Sequence, residues 1–440
     1  MKRIFLSICA TAVVFSSFAG GLLTNTNQNA TFLRNPARDA AIAIDGVYSN
    51  PAGTAFLEEG FHLSLSWQAA TQKRQITSNF PYYKLGGDAD GNKVFEGKTT
   101  APVIPSFQAA YVINDKWSVS AQFSIGGGGG KCEFAQGLPM FEKLIYSNLA
   151  TAAAQNNGAL KSYSLNQTLI GEQYFYGLQL GGTYKIMDKV SVFAGARGVL
   201  ANCSYTGAIT NIKGVIAVQH PIAGPMEVSA SGDDLTLDCS QNGFGITPII
   251  GVDVNLGKLN LATKYEFRTK IELENESNNS ANVDALMPTY ADGGKVRSDI
   301  PAILAVGAQY SILPSVRVAA GFHYYWDKDA KGTAIKEGNN TWEALLGVEW
   351  DINDKWLVST GAQRTQYGFK DADMSDLNFN INSTALCIGG AYKFNERMKL
   401  NFGYMHSFYG EHNVEGAVAG MNDLYTRKND VVGVSFDIRF

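Results

Sequence analysis

Long apolar runs are missing from most of this chain of 440 residues. After its first twenty residues no run reaches about 18 apolar residues, the length that a membrane-spanning helix needs, and the mean hydropathy is −0.09. This absence excludes a transmembrane helix in that part of the chain. It does not exclude a membrane β-barrel, because strands of alternating polarity average to a hydropathy near zero.

An excess of charge of one sign is also missing. The chain has 36 basic and 40 acidic residues, so we expect no nucleic-acid partner. It has only 5 cysteines and 5 histidines, scattered and without a metal-ligand spacing, so we expect no metal site and no cofactor. Cys203 and Cys239 flank one long polar segment, which leaves a disulfide between them open.

Motifs of catalysis and phosphate binding are missing as well. The glycine-rich segment Ile125–Cys132 has Ile125 where a P-loop needs its first glycine and Cys132 where it needs Ser or Thr. Residues 88–99 lack the glycine and the glutamate of a calcium loop. His406 and Ser407 are adjacent in a strand pattern, so they point to opposite faces and form no catalytic pair. We therefore expect that the protein is not an enzyme.

The N-terminus has the pattern of a secretory signal peptide. Lys2 and Arg3 precede the apolar stretch Ile4–Phe18, and small residues follow it. This pattern predicts a signal peptide at residues 1–20; the alternative is a retained anchor.

Alternation of apolar and polar residues dominates the chain from Phe61 onward. The run Lys258–Leu273 is the clearest case, and it predicts one long strand with Leu259, Leu261 and later apolar residues on one face. About fourteen such segments follow one another, joined alternately by short turns and by long polar loops. All long loops then lie at one end, as in outer-membrane barrels. The fold expected for residues 59–440 is an all-β, transmembrane antiparallel β-barrel of about 14 strands.

Both ends of the chain fit this interpretation. The last strand ends on Phe440, which resembles the terminal signal that the barrel-assembly machinery binds in outer-membrane proteins. Residues 21–58 show neither alternation nor a heptad, and Pro36 and Pro51 interrupt them. They predict an N-terminal hatch, or plug, inside the lumen.

Three segments carry a likeness to a known family, namely the motif Asn50-Pro51-Ala52 in the predicted hatch and the hairpins Gly243–Leu273 and Ile300–Asp327. They resemble the FadL/TodX family of outer-membrane transporters for long-chain fatty acids and other hydrophobic compounds. The resemblance implies a hatch-plugged barrel through which hydrophobic molecules diffuse without energy input. It also implies capture at the external loops and release through a lateral opening at a kink in the third strand.

The third strand is predicted to start at Trp117 and to end in a glycine run. Glycine supports a regular ladder poorly, so we expect the kink there, although a flexible hinge outside the membrane is the alternative. We also expect Asn50 and Ala52 to contact this run. The glycine run comprises Gly126, Gly127, Gly128, Gly129 and Gly130.

The segment after the glycine run predicts an apolar helix in an external loop. Its members Phe141, Leu144, Ile145 and Leu149 have helical spacing, which suggests an external hydrophobic capture site or, alternatively, packing onto neighbouring loops. Alternation places three further residues in the lumen as candidate charges, namely Lys264, Arg268 and Arg317.

Together these patterns predict a channel of the bacterial outer membrane for passive uptake of hydrophobic small molecules, with long-chain fatty acids expected first. A neutral apolar ligand, a structural or adhesive surface barrel and an outer-membrane lipid hydrolase are the alternatives. The expected partners are the ligand, outer-membrane lipid and the assembly machinery, and the expected state is a monomer.

Overall fold

The computed structural model describes residues 4–5, 28–220, 224–332, 335, 337–416 and 420–440. The predicted signal peptide, apart from Ile4 and Phe5, lies outside the described residues. So does the start of the predicted hatch, residues 21–27.

Fourteen antiparallel strands, two of them interrupted, form a closed barrel. Each strand pairs with the next, and the last pairs with the first, for example Val434 with Trp67. The predicted fold class is thereby confirmed. The strands are β1 Gly60–Asn79, β2 Asn92–Val112, β3 Trp117–Phe134, β4 Gly158–Met187, β5 Val190–His220, β6 Leu235–Asn255, β7 Leu259–Glu266 continued by Glu272–Ser277, β8 Lys295–Arg297 continued by Ile303–Leu313, β9 Val316–Tyr325, β10 Trp342–Asp351, β11 Trp356–Gln366, β12 Ser383–Asn395, β13 Met398–Tyr409 and β14 Asn422–Arg439.

Helices and short strands complete the described structure. The helices are α1 Ala30–Arg34, α2 Gly46–Ser49, α3 Pro139–Gln155 and α4 Ala281–Leu286, with 3₁₀ turns at Pro51–Phe56, Pro81–Gly86, Pro288–Tyr290, Asp327–Asp329 and Asp371–Asp373. Short strands at Gly224–Ser231, His412–Glu415 and Ile4–Phe5 pair with β5, β14 and Ala230–Ser231, respectively. Within the described ranges no helix is both long and apolar enough to cross a membrane.

The outer wall is apolar in a band that lies towards the tight-turn end. Leu65 and Trp67 of β1 point outward, whereas Ser64, Ser66 and Gln68 point inward and are buried. Aromatic pairs mark the turn-side edge, including Trp117–Tyr184 with ring centroids 4.5 Å apart and Phe61–Phe440 with 5.8 Å. An apolar band edged by aromatic rings is the surface of an outer-membrane barrel.

Strand β7 departs from the expected continuous alternation. Glu266 pairs with Ile249 and Glu272 with Phe244, so six steps along β7 face five along β6. The extra residue is a bulge, and it reverses which side chains face inward. Leu261 therefore faces lipid as predicted, whereas Leu273, expected on the same face, is buried in the lumen; that part of the prediction was wrong.

The N-terminal segment from Gln28 to Ala55 fills the lumen at the level of the apolar band. Almost all its residues are buried, and its charges pair with the barrel wall: Arg34 Nη1 lies 2.6 Å from a Glu349 carboxylate oxygen, and Arg38 Nη1 lies 3.1 Å from the same atom. A hatch inside the lumen was part of the predicted fold. The exact domain boundaries remain a prediction.

A row of glycines on β8–β14 supports this hatch, and we call it the glycine belt. Several belt glycines pair directly across strands, for example Gly403 with Gly433. A Cβ added at Gly403 would lie 2.7 Å from the Leu33 Cβ, and one at Gly361 would lie 2.5 Å from the Pro36 Cδ. Only glycine therefore lets the hatch backbone lie this close to the wall. The belt comprises Gly307, Gly321, Gly347, Gly361, Gly389, Gly403 and Gly433.

Candidate functional site

A cavity of about 280 Å³ lies inside the barrel, between the hatch and the external loops. One part of its lining is apolar, formed by Phe134, Phe141, Leu169, Leu237, Met287 and Leu377. The other part is polar, formed by Arg74, Arg427 and the amides of Gln72, Gln173, Asn378 and Asn380. Such a lining suits a ligand with an apolar body and an anionic group.

The polar end of the cavity contains a pair of arginines on adjacent strands. Arg74 of β1 lies directly opposite Arg427 of β14. The Arg74 guanidinium lies 4.3 Å from the Phe379 ring centroid, and that of Arg427 lies 5.0 Å from the Tyr409 centroid. The Nε atoms of both arginines are buried without a hydrogen-bond partner. Among the described residues neither guanidinium forms an ion pair with a carboxylate, so the pair carries uncompensated positive charge.

Both arginines lie on the loop side of the lipid-facing band, because their outward neighbours Lys73, Gln75 and Lys428 are polar. Burial, together with repulsion from Arg427, lowers the pKa of Arg74 to about 10. Two like charges that face each other across a ladder destabilise the sheet. A bound anion would remove this repulsion, so the pair is a candidate anion-binding site.

Helix α3 covers one side of the cavity. Phe141 lines the cavity, Ile145 and Leu149 are fully buried, and Leu144 is half-buried. The buried Glu142 carboxylate fixes the helix by accepting hydrogen bonds from Lys93 at 2.8 Å and from the Tyr163 hydroxyl at 3.0 Å. The predicted apolar helix is therefore packed onto loops and strands, and Phe141 is its contact with the cavity.

The glycine run lies at a gap in the pairing of β2 with β3, and we call this gap the seam. The two strands pair at Ser106–Ser124 and again at Thr100–Lys131, with no pair between. β3 stays paired with β4 there, with register shifts beside Gly127 and Gly128. Gly128 has a φ of +70°. Gly128 and Gly130 also line the cavity, so the seam borders the cavity directly.

On β2, two features match the unpaired stretch. Pro105 lies within it and has no N–H to donate to a ladder. Pairing with β1 shifts by one residue between Gln68–Ile104 and Ala70–Ala101. Both strands of the seam are thus irregular at the same level.

The motif Asn50-Pro51-Ala52 does not contact the glycine run, so that expectation was wrong. The Asn50 side chain donates to Asp253 of β6 at 2.5 Å and accepts from the Gly53 N–H at 3.2 Å, which starts a 3₁₀ turn. The Ala52 carbonyl accepts from Ser191 of β5 at 2.7 Å. The glycine run lies in the part of β3 that is close to the external loops. The motif lies near the tight turns at the other end, where the Thr54 hydroxyl is 3.0 Å from that of Ser118 of β3.

A different hatch residue reaches the seam. The Gln28 side chain donates to the Ile125 carbonyl at 3.3 Å, and the Ser106 hydroxyl donates to the Gln28 carbonyl at 2.5 Å. Gln28 therefore contacts both strands at the lower edge of the seam.

The three predicted lumen charges all have partners. Lys264 lies 2.8 Å from Glu266, and its ammonium also donates to the Tyr48 carbonyl of the hatch. Arg317 pairs with Asp351 at 2.6 Å. Arg268 lies in the β7 bulge, is about a third exposed, and contacts Asp299 and the Asp329 carbonyl. These charges are paired within the protein, whereas the arginine pair has no carboxylate partner among the described residues and Arg74 donates only to the Phe379 carbonyl, at 3.4 Å.

Other candidates from the sequence carry no site. Cys203 and Cys239 are buried free thiols. Within the described ranges no group of three metal-ligating side chains occurs.

Several solved structures share this fold. A FadL homologue from Pseudomonas aeruginosa is 13% identical, covers 96% of this chain and 100% of its own, and has a TM-score of 0.67. The P. putida toluene transporter TodX is 13% identical, with 90% and 94% covered and a TM-score of 0.57. The Ralstonia pickettii toluene transporter TbuX is 14% identical, with 92% and 98% covered and a TM-score of 0.54. No family model and no curated protein matches the sequence. At such identities the likeness establishes the fold.

Proposed function

We propose that this protein is an outer-membrane channel of the FadL type, for passive uptake of hydrophobic molecules that carry a carboxylate, with long-chain fatty acids as the main candidates. The observation that carries this proposal is the arginine pair in an otherwise largely apolar cavity. Solved structures with the same fold include a FadL homologue and toluene transporters, which supports a hydrophobic ligand.

The charges around the cavity support a ligand with an anionic group. Arg74 and Arg427 have no carboxylate partner among the described residues, and two aromatic rings contact them from the side. A fatty-acid carboxylate would accept hydrogen bonds from both guanidinium groups, while the acyl chain would lie along Phe134, Phe141 and Leu169. A neutral aromatic ligand would leave both arginines unpaired.

The hatch and the seam support a lateral route through the barrel wall. Below the cavity the buried hatch fills the lumen, so a straight path to the tight-turn end is blocked. At the side, the cavity meets the unpaired stretch of β2 and β3. The ligand enters past α3, rests against the arginine pair, and leaves sideways through the seam into the membrane.

Uptake of two ligands tests the proposal. Cells that produce the wild-type barrel or the variant R74Q/R427Q receive labelled oleate or labelled toluene. Loss of a charged hydrogen bond costs about 1.5–3 kcal/mol, so oleate uptake should fall about ten-fold or more in the variant. Toluene uptake should be unchanged.

The matched control is Arg364→Gln, which removes an exposed arginine that bonds only Thr384 and Gln366 in the described structure. Equal oleate uptake in R74Q/R427Q and wild type would refute the carboxylate. If cells without the protein took up each ligand as fast as cells with the wild-type barrel, transport would be refuted altogether.

A further inference from the structure

Three lysines form a row on the outer wall of β14, β1 and β2. Lys428 lies directly opposite Lys73, and Lys73 lies directly opposite Lys98. All three side chains are exposed, Lys98 to 78%. Three like charges in direct cross-strand register repel one another. We call these residues the lysine row.

Acidic residues compensate the lysine row only in part. Glu96 lies 2.5 Å from the Lys73 ammonium and 3.7 Å from that of Lys98. Asp430, two residues below Lys428, bonds the Tyr404 hydroxyl at 2.6 Å and His406 at 2.7 Å. The arginine pair lies behind the row on the inner face of the same strands. This section of wall therefore keeps a net positive charge.

The row lies just beyond the lipid-facing band, on the loop side. Trp67 faces lipid six residues before Lys73, which is about 20 Å along an extended strand. Thr71 is the first polar outward residue between them. Lipid headgroups lie at this level, next to the outer leaflet.

Below the row a shallow groove of about 310 Å³ opens on the same outer wall. Gly403 and Gly433, which pair with each other, form its floor, and the outward side chains of Trp67, Phe402, Val432 and Val434 form its sides. Between groove and row, β1 presents only the small outward residues Ala69 and Thr71. An acyl chain in the groove would thus pass only small side chains on β1 on its way to the lysines, whereas on β14 the Asp430 carboxylate lies between the groove and Lys428.

We propose that this wall binds a phosphate-bearing lipid of the outer leaflet. Lys428, Lys73 and Lys98 bind its phosphate groups, and the groove beneath holds one of its acyl chains. Charge complementarity selects phosphorylated lipids, because the row repels itself until an anion binds. This site is separate from the cavity and does not depend on transport.

Native mass spectrometry of the full chain in detergent tests the proposal. The probes are a bis-phosphorylated lipid A, the same lipid without its phosphates, and inorganic phosphate. We expect the wild-type barrel to keep the bis-phosphorylated lipid, and the variant K73Q/K98Q/K428Q to keep about ten-fold less of it, because several phosphate contacts are lost together. Val432→Trp, which fills the groove, should also reduce retention of this lipid.

The matched control is K116Q/K258Q/K355Q, which removes the same charge from exposed lysines near the tight turns. It should behave as wild type. Equal retention of the lipid with and without phosphates by the wild-type barrel would overturn the proposal, and so would inorganic phosphate displacing the lipid at equal concentration. The lipid comparison needs no variant, so it decides even if the triple variant fails to fold.

Discussion

The glycine belt of β8–β14 and the glycine run of β3 differ in what the missing side chain permits. In the belt each glycine is paired in a regular ladder, and the hatch occupies the space where a Cβ would be. In the run, the glycines lack partners on β2. A Cβ at Gly126 would meet nothing closer than the Phe175 carbonyl oxygen at 3.6 Å, whereas one at Gly128 would clash with the Gln173 carbonyl of β4. Isolated glycines at one level of successive strands thus indicate close backbone approach, whereas consecutive glycines indicate a broken ladder.

The largest expected effect comes from closing the seam. A Cβ at Gly130 would lie 3.5 Å from the Ala101 Cβ, which is within the range of a disulfide. In the variant A101C/G130C, with Cys132→Ser to remove a competing thiol, oxidation should join β2 to β3. Oleate uptake should fall about ten-fold, as for a blocked gate, and return when the bond is reduced.

The reduced form of this variant and the two single-cysteine variants are its controls. If the oxidised form transports as well as the reduced form, the seam is not the exit, and the contrast between run and belt has no functional meaning.

The next largest effect comes from adding one methyl group in each of the two regions. Gly403→Ala places a Cβ 2.7 Å from the Leu33 Cβ and 2.9 Å from the Ala30 carbonyl oxygen, both in the hatch. Overpacking of this kind costs about 1–3 kcal/mol. Gly126→Ala has room for its Cβ and should change the free energy of unfolding by less than about 0.5 kcal/mol. Denaturant titration of the refolded barrel measures both, and equal losses would contradict a hatch-supporting belt.

The sequence alone predicts the barrel but only part of the candidate site. The alternation of polar and apolar residues predicted the barrel and its tight turns. The same alternation places Arg74 and Arg427 on the inner face of their strands, because their neighbours Lys73 and Lys428 point outward. The sequence could therefore have indicated this pair, but not that it lacks carboxylate partners while Lys264 and Arg317 have them. Partners depend on register, and the single bulge in β7 shows how one extra residue changes which side chains face inward.

A smaller effect concerns the lower part of the hatch. Asn50 donates to Asp253 at 2.5 Å, and both are buried away from the seam. A double-mutant cycle of Asn50→Ala with Asp253→Ala should give a coupling energy of about 1–2 kcal/mol, because the bond involves a charged acceptor. The cycle of Asn50→Ala with Gly126→Ala is the control and should give none. Coupling to Gly126 instead would restore the contact between motif and glycine run that the structure lacks.

The smallest effect lies above the seam, where Asp376 holds the start of α3. Its carboxylate accepts from the Met140 N–H at 2.7 Å and from the Tyr425 hydroxyl at 2.8 Å. Burial and the nearby Asp423 raise the pKa of Asp376 to about 6 from 3.8. The folded loop therefore favours the neutral acid. Its contribution to stability is complete below pH 3.8 and is lost as the pH rises through about 6.

Protease cleavage at the edge of α3 measures this local stability, since local opening sets the cleavage rate. In Asp376→Asn the titrating carboxyl is absent, so the pH dependence of its cleavage reports only that of the protease. After division by this reference, cleavage of the wild type should be a few-fold faster at pH 7.5 than at pH 5. Asp354→Asn, an exposed acid in a tight turn, should retain the wild-type pH dependence. An identical pH response in Asp376→Asn and wild type would mean that the cover of the cavity is insensitive to this carboxyl.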